Sequence, residues 1–282
     1  MTDETMTPPP IVPEVHERIN PLIEKLKKKM PGETFRLPSR GLFYKDSELD
    51  PEVENGEIVV YPMTTVDELT MRSSDMLFQG TAITEVIGRC VPQILKPNRL
   101  IASDVDYVLT CLRKVSYGPL MPIQHKCQKC DAPIQEFNLS IEHFIRGSKE
   151  ITQEQYDAMS VVIDDYNVRL KPCVFEEMIK ILQRSGDECD TAAKISDWID
   201  SSLAAIIRSV DGVKDRELIL EWLQKLPRDI KEDLSNSVEN INKWGVEFDY
   251  DVTCEKCGGK DNVKTTMNPT GFFMLPSSRK TP

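Results

Sequence analysis

The chain has 282 residues, a formal net charge of −11 and a pI near 4.9. Apolar residues make up 40% and charged residues 29%, which excludes a fibrous or fully disordered chain. No apolar run approaches the roughly 20 residues of a membrane helix, and the acidic, proline-rich start MTDETMTPPP lacks the basic opening and apolar stretch of a signal peptide. The expected place of synthesis and residence is therefore the cytosol. An acidic chain is poorly suited to nucleic acid, because affinity for phosphates comes from Lys and Arg. The Lys25 to Lys29 run reads as a solvated helix face.

Residues 1–13 form a Pro- and Thr-rich arm, and Val15, Ile19, Leu22, Ile23, Leu26 and Met30 then recur at helical spacing up to Pro31-Gly32. ETFRLPSRGLFY holds an extended segment and a Ser-Arg-Gly turn. An acidic loop follows over 45–57, and EIVVYPM (57–63) reads as a strand stopped by Pro62. Thr64 or Thr65 can cap a short helix through Glu68 and Leu69. The apolar stretch 75–91 predicts one helix containing Gly80 and Gly88. Ser103 with Asp106 predicts a capped helix whose stripe is Val105, Val108, Leu109, Leu112 and Val115, ended by Gly118-Pro119.

Two short strands are expected over 121–139, then a short helix or loop, then strands within 161–172. From Val174 the pattern turns helical. Val174, Met178 and Leu182 share one face, and Ile195, Trp198, Ile199, Ile206 and Ile207 mark the next helix. Ile219, Trp222, Leu223 and Leu226 mark a third, and 228–243 a fourth. VEFDYDV (246–252) alternates as a strand, a last strand runs through Val263 to Met267, and the apolar end Pro269-Thr-Gly-Phe-Phe-Met is expected to dock back.

Eight cysteines in an unexported chain point to reduced thiols and to metal. Cys127 and Cys130 form one C-x-x-C knuckle, and Cys254 and Cys257 a second, followed by Gly258-Gly259. A tight knuckle turns backbone amides towards the thiolates and needs positive φ at one residue, which glycine supplies. Four thiolates in tetrahedral array suit one structural zinc. The gap between the pairs is on the order of 120 residues, against roughly 15–20 in ordinary ribbons. A folded insert whose ends lie close together would remove most of the cost of that loop. Isolated inert pairs are the plainer alternative. A redox pair would need a helix N-terminus after its first cysteine. A catalytic zinc would need an open position, which four cysteines close. His125, two residues from Cys127, is expected on the opposite side of its strand, at the surface. Cys90 and Cys111 read as small core residues, and Cys173 and Cys189 are scattered. No phosphate-cradling loop and no acid/base pair stands out.

The ordered blocks Leu37-Pro38-Ser39-Arg40-Gly41, GEIVVYPMTTVDEL, MRSSDMLFQGTAITEVIGRCVPQI and SDVDYVLTCLRKVSYG, followed by the first knuckle, resemble the T4-like phage baseplate hub protein family. EWLQKL, WGVEFDYDVTCEKCG and PTGFF are similar to its longer members. Arg40 and Phe78-Gln79 depart from the usual small residue and Leu-Asn. The resemblance implies a non-enzymatic component of a contractile-tail baseplate, of hub or hub-assembly type. Such a chain would be assembled in the host cytoplasm, be carried in the virion, and contact other baseplate and tail proteins but neither membrane nor nucleic acid. The alternative is a zinc-ribbon nucleic-acid-binding or transcription accessory protein, against which the acidic balance argues. A zinc hydrolase is a third and weaker reading.

The expected fold is α+β, mostly helical with a small β zinc ribbon formed by two distant hairpins. Its divisions are an arm and helix (1–35), an α+β domain (36–120), the ribbon and aromatic tail (121–140 plus 246–282) and a helical insert (141–245). The expected metal ligands are Cys127, Cys130, Cys254 and Cys257, holding one zinc.

Overall fold

The protein is seen as a computed structural model in which the described residues are Leu22, 31–130, 132–185, 192–241, 243–264 and 272–273. The arm at 1–13 and nearly all of the expected helix at 15–30 lie outside them. Residues Met1–Pro31 and Gly32–Pro282 are separate units, and the fold is that of the second. Strand β1 (Glu33–Arg36) pairs antiparallel with β2 (Glu57–Val60), with Phe35 opposite Ile58. Between them the chain turns through Arg40 and Gly41, at φ 55° and 78°, where the Ser-Arg-Gly turn is expected. β2 stops short of Pro62, which has no N–H to give a ladder.

Helix α1 (Thr65–Thr70) opens with a reciprocal cap. The Asp67 carboxylate accepts from the Thr64 backbone N–H at 2.8 Å and from its hydroxyl at 2.7 Å. Its other oxygen accepts from Arg89 Nε at 2.5 Å. The single helix expected over 75–91 is two, α2 (Ser74–Phe78) and α3 (Thr81–Cys90). The break falls at Gly80, whose φ of +73° is left-handed. A Cβ there would stand 2.7 Å from Ile179 Cγ1, so the same glycine also admits a neighbouring helix.

Helix α4 (Ala102–Tyr117) buries Val105, Val108, Leu109 and Leu112, as the stripe predicts, and ends at Gly118. Its start differs from expectation, because Ser103 and Asp106 do not cap it. Ile101 holds the cap position, and its N–H donates to the Tyr44 hydroxyl oxygen at 3.1 Å. Tyr44 in turn donates to Asp104 at 2.6 Å, and the Ser39 N–H donates to the other Asp104 oxygen at 3.0 Å. The Tyr44 hydroxyl, 57 positions away in sequence and held by the buried Asp104 carboxylate, thus takes the amide at the cap position.

Beyond the hairpin β3 (Leu120–His125) and β4 (Gln135–Ser140) come α5 (Ile141–Gly147) and α6 (Gln153–Asp157). A three-stranded antiparallel sheet follows, in the order β5 (Ser160–Ile163), β6 (Tyr166–Leu170) and β7 (Ile207–Val210). The expected helix through Ile207 gives way there. Ile207 leaves α8 (Ala192–Ile206) and pairs with Leu170, which buries Ile207, Ser209 and Val210 and turns Arg208 outward. The segment is thus mixed rather than helical. Helices α8, α9 (Arg216–Lys225) and α10 (Arg228–Ile241) accompany that sheet, whereas α7 (Phe175–Ser185) docks on the α4 core through Phe175, whose N–H donates to Leu100 C=O at 2.7 Å. Val168, Leu203, Ile207, Ile219, Leu223 and Leu234 form a core distinct from the one around α4.

The two ends of this segment meet. Lys149 N–H donates to Gly245 C=O at 3.0 Å and Gly245 N–H to Lys149 C=O at 2.8 Å. Trp244 stacks on Phe43 with ring centroids 5.9 Å apart, and Ile151 N–H donates to Pro38 C=O at 2.9 Å. The chain then enters β8 (Asp249–Thr253) and β9 (Lys260–Lys264), β8 starting three residues later than the alternation suggests. Asp249 already faces Lys264, so 246–248 have no strand partner among the described residues, and the expected extension of β9 to Met267 lies outside the described residues. Phe272 and Phe273 dock back as expected. Both are buried against the α4 core, and Arg113 Nε donates to Phe272 C=O at 3.0 Å.

Burial pushes the Asp104 carboxyl up to about 6, with the Ser39 and Tyr44 bonds pulling the other way. Its folded value thus exceeds the ordinary carboxylate value of about 3.9. The folded state holds this proton more tightly. The group's contribution is full at low pH and is lost as pH rises through about 6. Relative to Asp104→Asn, the wild type should lose on the order of 2 kcal/mol of unfolding free energy between pH 4 and pH 7 in denaturant titrations. A difference that does not vary with pH would contradict the assignment.

Candidate metal centre

Two antiparallel hairpins present the four cysteines. In the first, pairing ends at His125 opposite Gln135, and Cys127 and Cys130 lie in the loop. In the second, pairing ends at Thr253 opposite Lys260, and Cys254 and Cys257 lie in the turn. Each loop folds back on its own sulfur. Lys129 N–H points at Cys127 Sγ (3.3 Å) and Gly259 N–H at Cys257 Sγ (3.4 Å), as expected of such knuckles. Gly258, at φ +66°, closes the second turn by donating its N–H to Cys254 C=O at 2.8 Å. Gly259 C=O accepts from Cys254 N–H at 2.9 Å.

The knuckles face each other. All four sulfurs lie within 4.8 Å of one another, with Cys127 to Cys257 and Cys130 to Cys254 at 3.8 Å. A regular tetrahedron with Zn–S bonds near 2.3 Å has edges of about 3.8 Å. A disulfide would need about 2.05 Å. Cys127 and Cys254 are buried, Cys130 is half-buried and Cys257 exposed. Among the described residues this is the group of metal-ligating side chains close enough to share an ion, and its donor set is compatible with a metal site. A hydrogen bond from the Cys257 backbone lowers the Cys254 thiol to about 7. Cys130 is pushed up to about 12: the Ala132 backbone favours its thiolate, but burial and the neighbouring sulfurs outweigh it. Four thiols crowded together ionise together only beside a cation.

The remaining cysteines fall as expected where described. Cys90 and Cys111 are buried in the α4 core, and burial pushes the Cys90 thiol up to about 12 and that of Cys111 higher still. Cys173 is half-buried and raised to about 11, again first by burial. Cys189 lies outside the described residues.

His125 is not the surface residue expected. Its Nε2 lies 3.0 Å from Asp261 Oδ2, and the buried Asp261 carboxylate also accepts from Gln128 N–H at 3.2 Å. The His125 hydrogen bond, with the Gln128 N–H behind it, holds the Asp261 carboxyl below its ordinary range. Lys129 Nζ donates to Lys260 C=O at 2.7 Å, and Glu255 N–H to the Gln135 side chain at 3.3 Å. These contacts lock one hairpin to the other independently of any ion. Asp261 carried no local signal in the sequence, because its partners are more than 130 positions away.

The chain matches the family model described as T4 bacteriophage base plate protein over residues 45–274. It belongs to that family. The match takes in both knuckles, the whole intervening segment and Phe272-Phe273, whereas the Leu37 to Gly41 block falls just ahead of it. No curated protein and no solved structure matches the chain. As a baseplate protein, it has its place in the phage tail among other tail proteins. No helix among its described residues is long and apolar enough to cross a membrane.

Groups that orient ligating residues typically matter about 10-fold or more for affinity. Asp261→Ala, which frees both His125 and the Gln128 amide, should weaken Co²⁺ uptake by the reduced baseplate protein by about 10-fold in absorbance titrations. Unchanged affinity would show that the carboxylate braces nothing.

Proposed function

We propose that the chain is a hub or hub-assembly subunit of a contractile phage tail baseplate, working through protein–protein contacts without catalysis, with one structural zinc held by Cys127, Cys130, Cys254 and Cys257. The family match over 45–274 carries the baseplate part of this reading. The hub part rests on the ordered blocks from Leu37 to the first knuckle. The zinc part rests on four sulfurs within 4.8 Å of one another, two pairs of them at 3.8 Å. When bound, zinc supplies cross-linking and no chemistry, because four thiolates leave no position for water or substrate.

On this reading 36–120 is the α+β domain typical of the family, and 121–140 with 246–282 forms the ribbon and aromatic tail. Residues 141–245 are an insert that the ribbon carries at its neck. The chain's own residues set the ribbon's attitude. Asp261 and His125 align the hairpins, and Phe248, Phe272 and Phe144 fix them to the core, with ring centroids 5.4 Å (Phe144 to Phe248) and 6.5 Å (Phe248 to Phe272) apart. Such a frame presents two sets of surfaces at a fixed angle, as an assembly part requires.

Purified protein should contain one zinc per chain by elemental analysis, and Cys130→Ser and Cys254→Ser should each lose it. Phage supplied only with Cys130→Ser should yield fewer complete baseplates by electron microscopy. Normal zinc content in Cys130→Ser would sink the four-thiolate site. Absence of the wild-type chain from tails and from every baseplate intermediate would sink the hub reading.

A further inference from the structure

The outer face of the three-stranded sheet carries an unusual concentration of free positive charge for so acidic a chain. Val168 and Leu170 of β6 point into the core, which leaves Arg169 on the solvent face. On β7 the register slips. Arg169 faces Ser209 and Leu170 faces Ile207, so Arg208 is the extra residue of a bulge. A bulge re-aims a side chain, and here both Arg169 and Arg208 are exposed and line one cleft. Neither guanidinium makes a hydrogen bond or ion pair among the described residues. By contrast Arg36, Arg89, Arg99, Arg146 and Arg216 are all ion-paired.

The two arginines open on a cleft of about 360 Å³, closed on one side by Phe43 and Tyr156, whose rings lie 5.4 Å apart. Lys171 and Ser160 also line it, and its single carboxylate is Asp157, already hydrogen-bonded to Gln153. Lys171 is shared with Glu177 at 3.2 Å. With Lys171 engaged by Glu177, two arginines unpaired among the described residues thus face one carboxylate in a chain of net charge −11.

We propose that this cleft is a docking site for an acidic segment of a partner protein. Paired guanidiniums recognise carboxylates bidentately, and the aromatic wall offers apolar cover to the aliphatic part of a Glu or to a flanking side chain. Charge complementarity selects the occupant. A short acidic peptide needs only the two free arginines. A polynucleotide needs a continuous basic track, which the cleft does not extend into, and would meet the repulsion of the whole chain. The site is separate from the cysteine cluster, and this reading does not depend on the hub assignment.

The test is fluorescence anisotropy on the 282-residue chain with a short fluorescein-labelled glutamate–leucine peptide, its glutamine counterpart and a labelled oligothymidylate. The acidic peptide should bind and the glutamine peptide should not. Each of Arg169→Gln and Arg208→Gln should weaken binding by about 10-fold, as loss of one charge-assisted contact does. Both variants should keep the wild-type melting temperature. Equal binding of acidic and glutamine peptides, or acidic-peptide affinity unchanged in the double variant, would overturn the proposal. So would tighter binding of the oligothymidylate that depends on the same arginines. Sedimentation showing self-association that disappears in the double variant would give the cleft to a second copy and overturn the separate-partner claim.

Discussion

Everything distinctive in this protein depends on bringing two cysteine pairs together from opposite ends of a long excursion. Cys130 and Cys254 stand 124 positions apart in the chain and 3.8 Å apart at their sulfurs. Loop entropy alone does not forbid this, since closure cost grows only with the logarithm of length. What makes the approach cheap is the neck. Lys149 and Gly245 exchange two backbone hydrogen bonds, so most of the excursion is closed by contacts other than the cysteines. The segment between them has its own sheet and its own apolar core around Val168, Leu203 and Leu223. The cysteines therefore close two short connections rather than one long one.

The hairpins are also held by contacts that need no ion. Asp261 ties β9 to His125 and to the backbone of the first knuckle, and Phe248 reaches the aromatic group of Phe144 and Phe272. A two-stranded hairpin is marginal alone, and here each of two such hairpins borrows rigidity from the other and from the α4 core. Zinc on four thiolates would add the cross-link that fixes the angle. This arrangement suits a part that must meet several neighbours at once, in keeping with the baseplate family to which the chain belongs.

Features whose causes are local were legible in the residues. The Thr64–Asp67 cap, the α4 stripe, the Arg40-Gly41 turn and both knuckles each depend on residues within a few positions of one another. The misreadings share the opposite property. Ser103 reads as a cap, but the amide at the cap position is taken by Tyr44, 57 positions away. Ile207 looked like the end of a helix, but pairing with β6 draws it into a sheet. Gly80 was only a weak spot in a helical pattern until Ile179 came within reach of it. Strand alternation puts His125 at the surface, because it cannot anticipate that a second hairpin covers that side. The cysteine pairing is legible from chemistry, because two C-x-x-C pairs have few uses other than sharing an ion where thiols stay reduced.

The most direct test of the account is zinc K-edge X-ray absorption on the purified, reduced protein. It predicts a first shell of four sulfurs at about 2.3 Å with no nitrogen or oxygen. A shell containing nitrogen or oxygen, or no bound zinc at all, would contradict a four-thiolate staple and leave the hairpins held by Asp261 and the aromatic contacts alone.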